Sequence, residues 1–216
     1  TVGSTAVVFF DVNVVLLFIA FVATVVATAL TVRRRPWDAA MVALAPTMIL
    51  AATVNWDLLP LAFAGVALLL WSRRHPLAAG LLLGLAVSAK FYPVVFLGAF
   101  LLLSLRSGKW KAFALLLGGT VASWSLVNVP VALANFDGWW EFYSFSSRRA
   151  VDFGSIWYAA TQAGLQGVPA DQLNLVATGS FIVLCAGIAW LVLGARRRPR
   201  LAQVLFLIVA AFVLTN

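Results

Sequence analysis

The chain has 216 residues, of which 63% are hydrophobic and 10% charged, with a mean hydropathy of +1.02. A water-soluble domain of this length could not bury so much apolar surface, so lipid must be the main solvent. The formal charge of +8 is carried by short basic clusters between apolar runs, which is what membrane topology requires and argues against nucleic acid as a partner.

Apolar stretches occupy residues 5–32, 39–54, 58–71, 76–89, 93–105, 111–129, 173–194 and 201–216. In lipid these must be helices, because an open strand edge would leave backbone donors and acceptors unpaired in hydrocarbon. The first run lacks a charged leader and a small-residue cleavage site, so it reads as a span and not as a signal peptide. With Thr1 in place of an initiator Met and Asn216 closing an apolar run, the expectation is an internal fragment forming one transmembrane domain over 1–216.

If every stretch crosses, Arg33 to Arg35, Arg73 with Arg74, Arg106 with Lys109 and Lys111, and Arg196 to Arg198 with Arg200 fall on one side. That places 12 of the 15 basic residues in the cytoplasm. The same parity divides residues 76–105 into a hairpin turning at Lys90-Phe91-Tyr92-Pro93. One continuous helix would bury the Lys90 ammonium in lipid, and Pro93 disfavours helical geometry just before it. Residues 58–71 would rise only about 21 Å against a hydrocarbon core of about 30 Å. Short segments of this kind are expected to line a cavity open to the outer face. The long connection Pro130 to Gln172 lies on the outer side, with an interfacial helix expected from about Gly138 to Arg149 because Trp and Tyr belong at headgroup level. The fold class is therefore all-α, a multi-pass transmembrane helical bundle of about eight membrane segments.

Chemistry must come from the few ionic residues on the outer side. Lys90, Arg148 and Arg149 are there against the positive-inside tendency, and a phosphate or pyrophosphate would compensate them. Lys90 could equally be a snorkelling side chain, and the two arginines could pair with Glu141, Asp152 or lipid phosphate. Asn55-Trp56-Asp57 reads as a helix start, with Asn55 and Asp57 capping and Pro60 in the first turn. Asp57 could also face the cavity, taking a proton or holding a sugar hydroxyl. Asp11 should face the protein interior, and Asp38 should be an N-cap. His75 reads as a loop residue, and the single Cys185 has no partner for a disulfide or a metal. Neither GxxxxGK[ST], HExxH nor GxSxG occurs, which argues against nucleotide hydrolysis and zinc proteolysis.

In order, Arg35-Pro36-Trp37-Asp38, Asn55-Trp56-Asp57, Ala89-Lys90-Phe91-Tyr92-Pro93, Asn128-Val129-Pro130, Gly138 to Tyr143 and Asp152 to Tyr158 resemble glycosyltransferase family 87 of the GT-C superfamily, over nearly the whole chain. The resemblance implies transfer of a sugar, commonly mannose, from a polyprenyl-phosphate donor to a glycolipid or glycan acceptor at the extracytoplasmic face of the cell membrane. It also implies an inverting mechanism whose aspartate base lies in a first outer loop, which would precede Thr1. The candidate site is then Asp57 for acid–base work, with Asn55, Lys90, Tyr92, Arg148, Arg149 and Asp152 for substrate. No metal ligands are assigned and no cofactor is called for, with a divalent cation left open. A transporter or flippase for lipid-linked precursors, or a non-catalytic membrane subunit, would share the cavity without needing a base.

The charge clusters yield a direct test. Cysteines placed in the Arg33, Arg73, Arg106 and Arg196 loops of a Cys185-free protein should resist an impermeant thiol reagent applied to intact cells. Labelling of the Arg106 loop alone would restore a single helix over 76–105.

Overall fold

A computed structural model describes residues 2–53, 55–148, 155–165 and 172–215, and all regular structure among them is helical. Among the described residues three helices are long and apolar enough to cross a membrane, at Thr5–Thr31, Trp110–Ala134 and Leu173–Gly194, and four shorter apolar helices accompany them. The chain packs as two compact units, residues 1–94 with 111–128 and residues 95–110 with 129–216.

In the first unit, α1 (Val2–Thr31) is followed by a short 3-10 turn and two short helices, α2 (Ala39–Ala43) and α3 (Pro46–Ala51). The apolar run 39–54 is thus two helices where one was expected. The residue before Pro46 is extended, as the proline ring requires of its predecessor. Asp38 occupies the N-cap of α2 but has helical backbone angles, and its side chain accepts no capping bond. The hairpin α4 (Leu58–Ser72) and α5 (Pro76–Ala89) comes next. Arg74 adopts φ 66° at the end of α4, with the bonds Arg74 N–H to Trp71 O and His75 N–H to Leu70 O of a Schellman close. His75 is therefore a loop residue, and Pro76 starts α5 where its missing N–H costs nothing.

Helices α1 and α4 run the same way. Leu17 and Ala20 cluster with Leu58 and Ala62, while Gly65 lies against Thr24 and Ala27. Helix α4 begins beside the middle of a 30-residue helix, so α1 extends about 20 Å past it at 1.5 Å per residue. The short rise of α4 is lost at its Asp57 end. Asp11 is exposed and not turned inward as expected: the buried α1–α4 core begins at Leu17, and residues 5–12 of α1 are all exposed.

Helix α7 (Trp110–Ala134) supplies its Lys111–Asn128 stretch to this unit. It meets α5 at very close range, because a Cβ on Gly80 would stand 2.0 Å from Leu116 O and one on Gly119 would stand 2.6 Å from Leu77 O. Small residues give membrane helices this kind of contact, where packing and not water exclusion drives association. The Ser123 hydroxyl reinforces it by donating to Leu81 O at 2.7 Å.

The second unit is centred on α6 (Phe96–Ser107), α10 (Leu173–Gly194) and α11 (Leu201–Thr215), with Phe100, Leu103, Val192, Val204 and Ile208 buried. Arg106 donates to Val192 O, Leu193 O and Ala195 O, so a guanidinium occupies the open carbonyl end of α10. At the opposite end of α11, Trp157 Nε1 donates to Thr215 O at 3.0 Å. Helix α7 runs through Pro130 to Ala134, five residues past the expected stop at 129; a proline within a membrane helix is tolerated when neighbours satisfy the freed carbonyl. Between α7 and α10 lie α8 (Phe136–Arg148) and α9 (Ile156–Gln162). Helix α8 starts two residues before the expected Gly138 because Asn135 Oδ1 accepts the Gly138 N–H at 3.0 Å.

The glycine contacts predict an asymmetric response to added methyls. Gly80→Ala should destabilise the protein by about 1–3 kcal/mol through overpacking. Gly118→Ala, which meets nothing within 4 Å, should be neutral or slightly stabilising in a thermal unfolding assay in detergent.

Candidate functional site

The turn before α4 is built by Asn55, whose Oδ1 accepts the Asp57 N–H at 3.0 Å in an Asx turn. Asp57 occupies the N-cap position with helical angles, φ −64° and ψ −22°, and its carboxylate caps nothing. A capping side chain needs extended backbone at that residue, so the expected capping role of Asp57 is corrected. Its carboxylate is turned elsewhere.

Lys90 ends α5 in extended geometry, φ −158° and ψ 139°, with its N–H on Ala86 O at 3.0 Å. Its ammonium pairs with Asp57 Oδ1 across the mouth of the hairpin. Both side chains keep about half of their surface accessible, at 50% and 49%. Tyr92 follows in a 3-10 turn (Tyr92–Val95), half-buried, before the apolar helix begins. Burial, and secondarily the Asp57 carboxylate, push its phenol above the ordinary value of 10.0. Tyr92 is thus a neutral hydrogen-bond donor at physiological pH, close enough to Asp57 to feel its charge.

A polar contact beside this group was not singled out from sequence. Asn128 Nδ2 donates to Ser88 Oγ at 3.1 Å and to Trp124 O at 3.0 Å, tying α7 to α5 two residues before Lys90. Asn128 entered the sequence reading only through the resemblance. Its signal was a lone amide late in an apolar run, which must face a partner helix.

Trp56 of this turn also lines a cleft of about 500 Å³, together with Leu16, Ile19, Leu59, Phe63 and Leu82 among other apolar side chains of α1, α4 and α5. Along α4 its lining runs from Trp56, the residue before Asp57, through Leu59 to Val66.

Asn55, Asp57, Lys90 and Tyr92 are therefore gathered at one end of the first unit. Arg148 belongs to the second unit, where it donates to Glu141 Oε1 at 3.1 Å and to Ser144 Oγ at 3.3 Å on its own helix. This is the Glu141 pairing weighed for it from sequence. Arg149 and Asp152 lie outside the described residues. Among the described residues no three His, Cys, Asp or Glu side chains converge to hold a metal ion.

A family profile for glycosyltransferase family 87 matches residues 1–215. The chain belongs to glycosyltransferase family 87. No curated protein and no solved structure matches it. As a family 87 member it is a membrane glycosyltransferase, which gives a sugar-transfer context to the Asp57–Lys90 pair at the open end of the α4–α5 hairpin.

The exposure of the Asp57–Lys90 pair sets its energetic scale. A double-mutant cycle with Asp57→Asn and Lys90→Ala should return a coupling below about 1 kcal/mol for folding stability. Chemical unfolding in detergent measures it, and a coupling of several kcal/mol would make the pair a structural strut.

Proposed function

We propose that this chain moves a sugar, mannose in the first instance, from a polyprenyl-phosphate donor to a lipid or glycan acceptor at the extracytoplasmic face of the cell membrane. The observation that carries the reading is Lys90, held at the mouth of the α4–α5 hairpin by Asp57, whose neighbour Trp56 lines an apolar cleft. An amphiphile with an anionic head and a hydrocarbon tail matches that pair of environments. The positive-inside count, which leaves Lys90 on the side opposite the Arg73 cluster, supports the extracytoplasmic placement.

In the transfer, an acceptor hydroxyl oxygen forms a bond to the anomeric carbon as the bond from that carbon to the phosphate oxygen breaks. The bonding electron pair leaves with the lipid phosphate, whose charge rises from one to two, and the hydroxyl proton passes to a carboxylate. Lys90 stands where the phosphate would gain that charge, so it favours the transition state over the ground state. Asp57 supplies a carboxylate for a sugar or acceptor hydroxyl. Tyr92 and Asn55 contribute neutral hydrogen-bonding groups at the same mouth.

Lys90→Ala in the full protein should lose one charge-assisted contact, roughly 1.5–3 kcal/mol, or about ten- to hundred-fold in rate at subsaturating donor. Lys90→Arg should restore only part, because a planar guanidinium replaces a point charge. Transfer from a radiolabelled polyprenyl-phosphate sugar is the measurement. Wild-type rates in correctly inserted Lys90→Ala protein would reduce Lys90 to a membrane anchor.

A further inference from the structure

We infer that Asp57 is a built-in competitor for the phosphate site. Its carboxylate occupies the place on Lys90 that a lipid phosphate must take, so headgroup binding and the Asp57–Lys90 pair exclude each other. The inference rests on the reading of Lys90 as the phosphate-binding cation.

Three observations carry it. The Asp57 carboxylate is free of the capping duty that its position would ordinarily impose, and it is directed to Lys90 instead. The pair joins residues 33 apart in sequence at a hairpin mouth that the Asx turn and the extended Lys90 backbone already shape without it. Both side chains are half accessible, so an incoming anion can reach the ammonium, and the carboxylate can be released to solvent without becoming a buried unpaired charge.

The consequence is an order of events. A donor phosphodiester with one negative charge replaces one carboxylate as the partner of the ammonium, and the half-accessible carboxylate it displaces is left to solvent. Asp57, once displaced, is then free to accept a hydrogen bond from a hydroxyl at the same mouth. After transfer the lipid phosphate is a dianion and holds Lys90 more tightly than the donor did. The carboxylate is the group on hand to retake the ammonium and let that product go.

The probe is radiolabelled dodecyl phosphate, a single-chain phosphate monoester, measured for binding to the full protein in phosphatidylcholine nanodiscs. Lys90→Ala should weaken binding, and Asp57→Asn should tighten it roughly two- to five-fold, the equivalent of a half-exposed ion pair. Asp57→Glu, which retains the charge, should not tighten it, and combining Asp57→Asn with Lys90→Ala should give no tightening beyond Lys90→Ala alone. Dodecanol has no charge and should bind all variants alike, which reports an intact cleft; should Asp57→Asn misfold, Asp57→Ser repeats the neutralisation. Unchanged or weaker binding in folded Asp57→Asn protein, with Lys90→Ala still weakened, would overturn this inference alone. Unchanged binding in Lys90→Ala would overturn the phosphate-site reading with it. Inorganic phosphate competing as well as dodecyl phosphate would overturn the lipid origin of the headgroup.

Discussion

The constraint on which the site depends is the matched length of two antiparallel helices. Helix α4 has 15 residues and α5 has 14, and the tight close at Arg74 joins them. Equal rise from a common turn brings their far ends level, which is why Asp57 at the start of one meets Lys90 at the end of the other. Lengthening either helix by half a turn would separate the two groups by several ångströms, at 1.5 Å per residue. Close contact at Gly80, Gly84 and Gly119 then holds α5 against α7, so the Lys90 end has little freedom to drift.

Much of this was legible in the sequence, for reasons specific to lipid. Backbone bonds must close within each apolar segment, so runs of apolar residues map directly onto helices, and the boundaries at Ala89, Gly194 and Ser72 fall at or within a residue of where the composition changes. Pro93 located the turn at Lys90 because it excludes helical geometry before it. Propensity was a poorer guide where neighbours decide. Pro130 looked like a stop and is carried inside α7, and Asp38 and Asp57 looked like caps but have helical backbone angles at their positions.

The pairing of Asp57 with Lys90 was not legible, although both residues were candidates. Sequence places each at a helix end on one side of the membrane, but which ends are adjacent depends on lateral packing that no periodicity records. The same limit hid Arg106, read only as one of a topological cluster. Its guanidinium in fact takes the open carbonyls at the end of α10, on a helix more than 80 residues away in sequence. Asp11 shows the opposite error. Its burial was inferred from the cost of an acid in hydrocarbon, but the buried α1–α4 core begins at Leu17 and residues 5–12 of α1 are all exposed.

The contrast between Arg106 and Lys90 shows how the two cations can serve different ends. Arg106 donates three bonds to backbone carbonyls that have no partner within their own helix, so its removal would leave acceptors open, and its role is structural. Lys90 is bound by a single side-chain carboxylate at a half-accessible position, where an ion pair contributes little to folding. Exchange of that carboxylate for a phosphate trades one anion for another of similar charge and leaves no backbone group unsatisfied. A fully buried pair would hold the cation too firmly, because breaking it strands a charge in low dielectric. A lone lysine would retain a dianionic product. Half exposure with an internal counter-anion lies between these limits, which is the balance that the proposed reversible capture of a charged lipid headgroup would require.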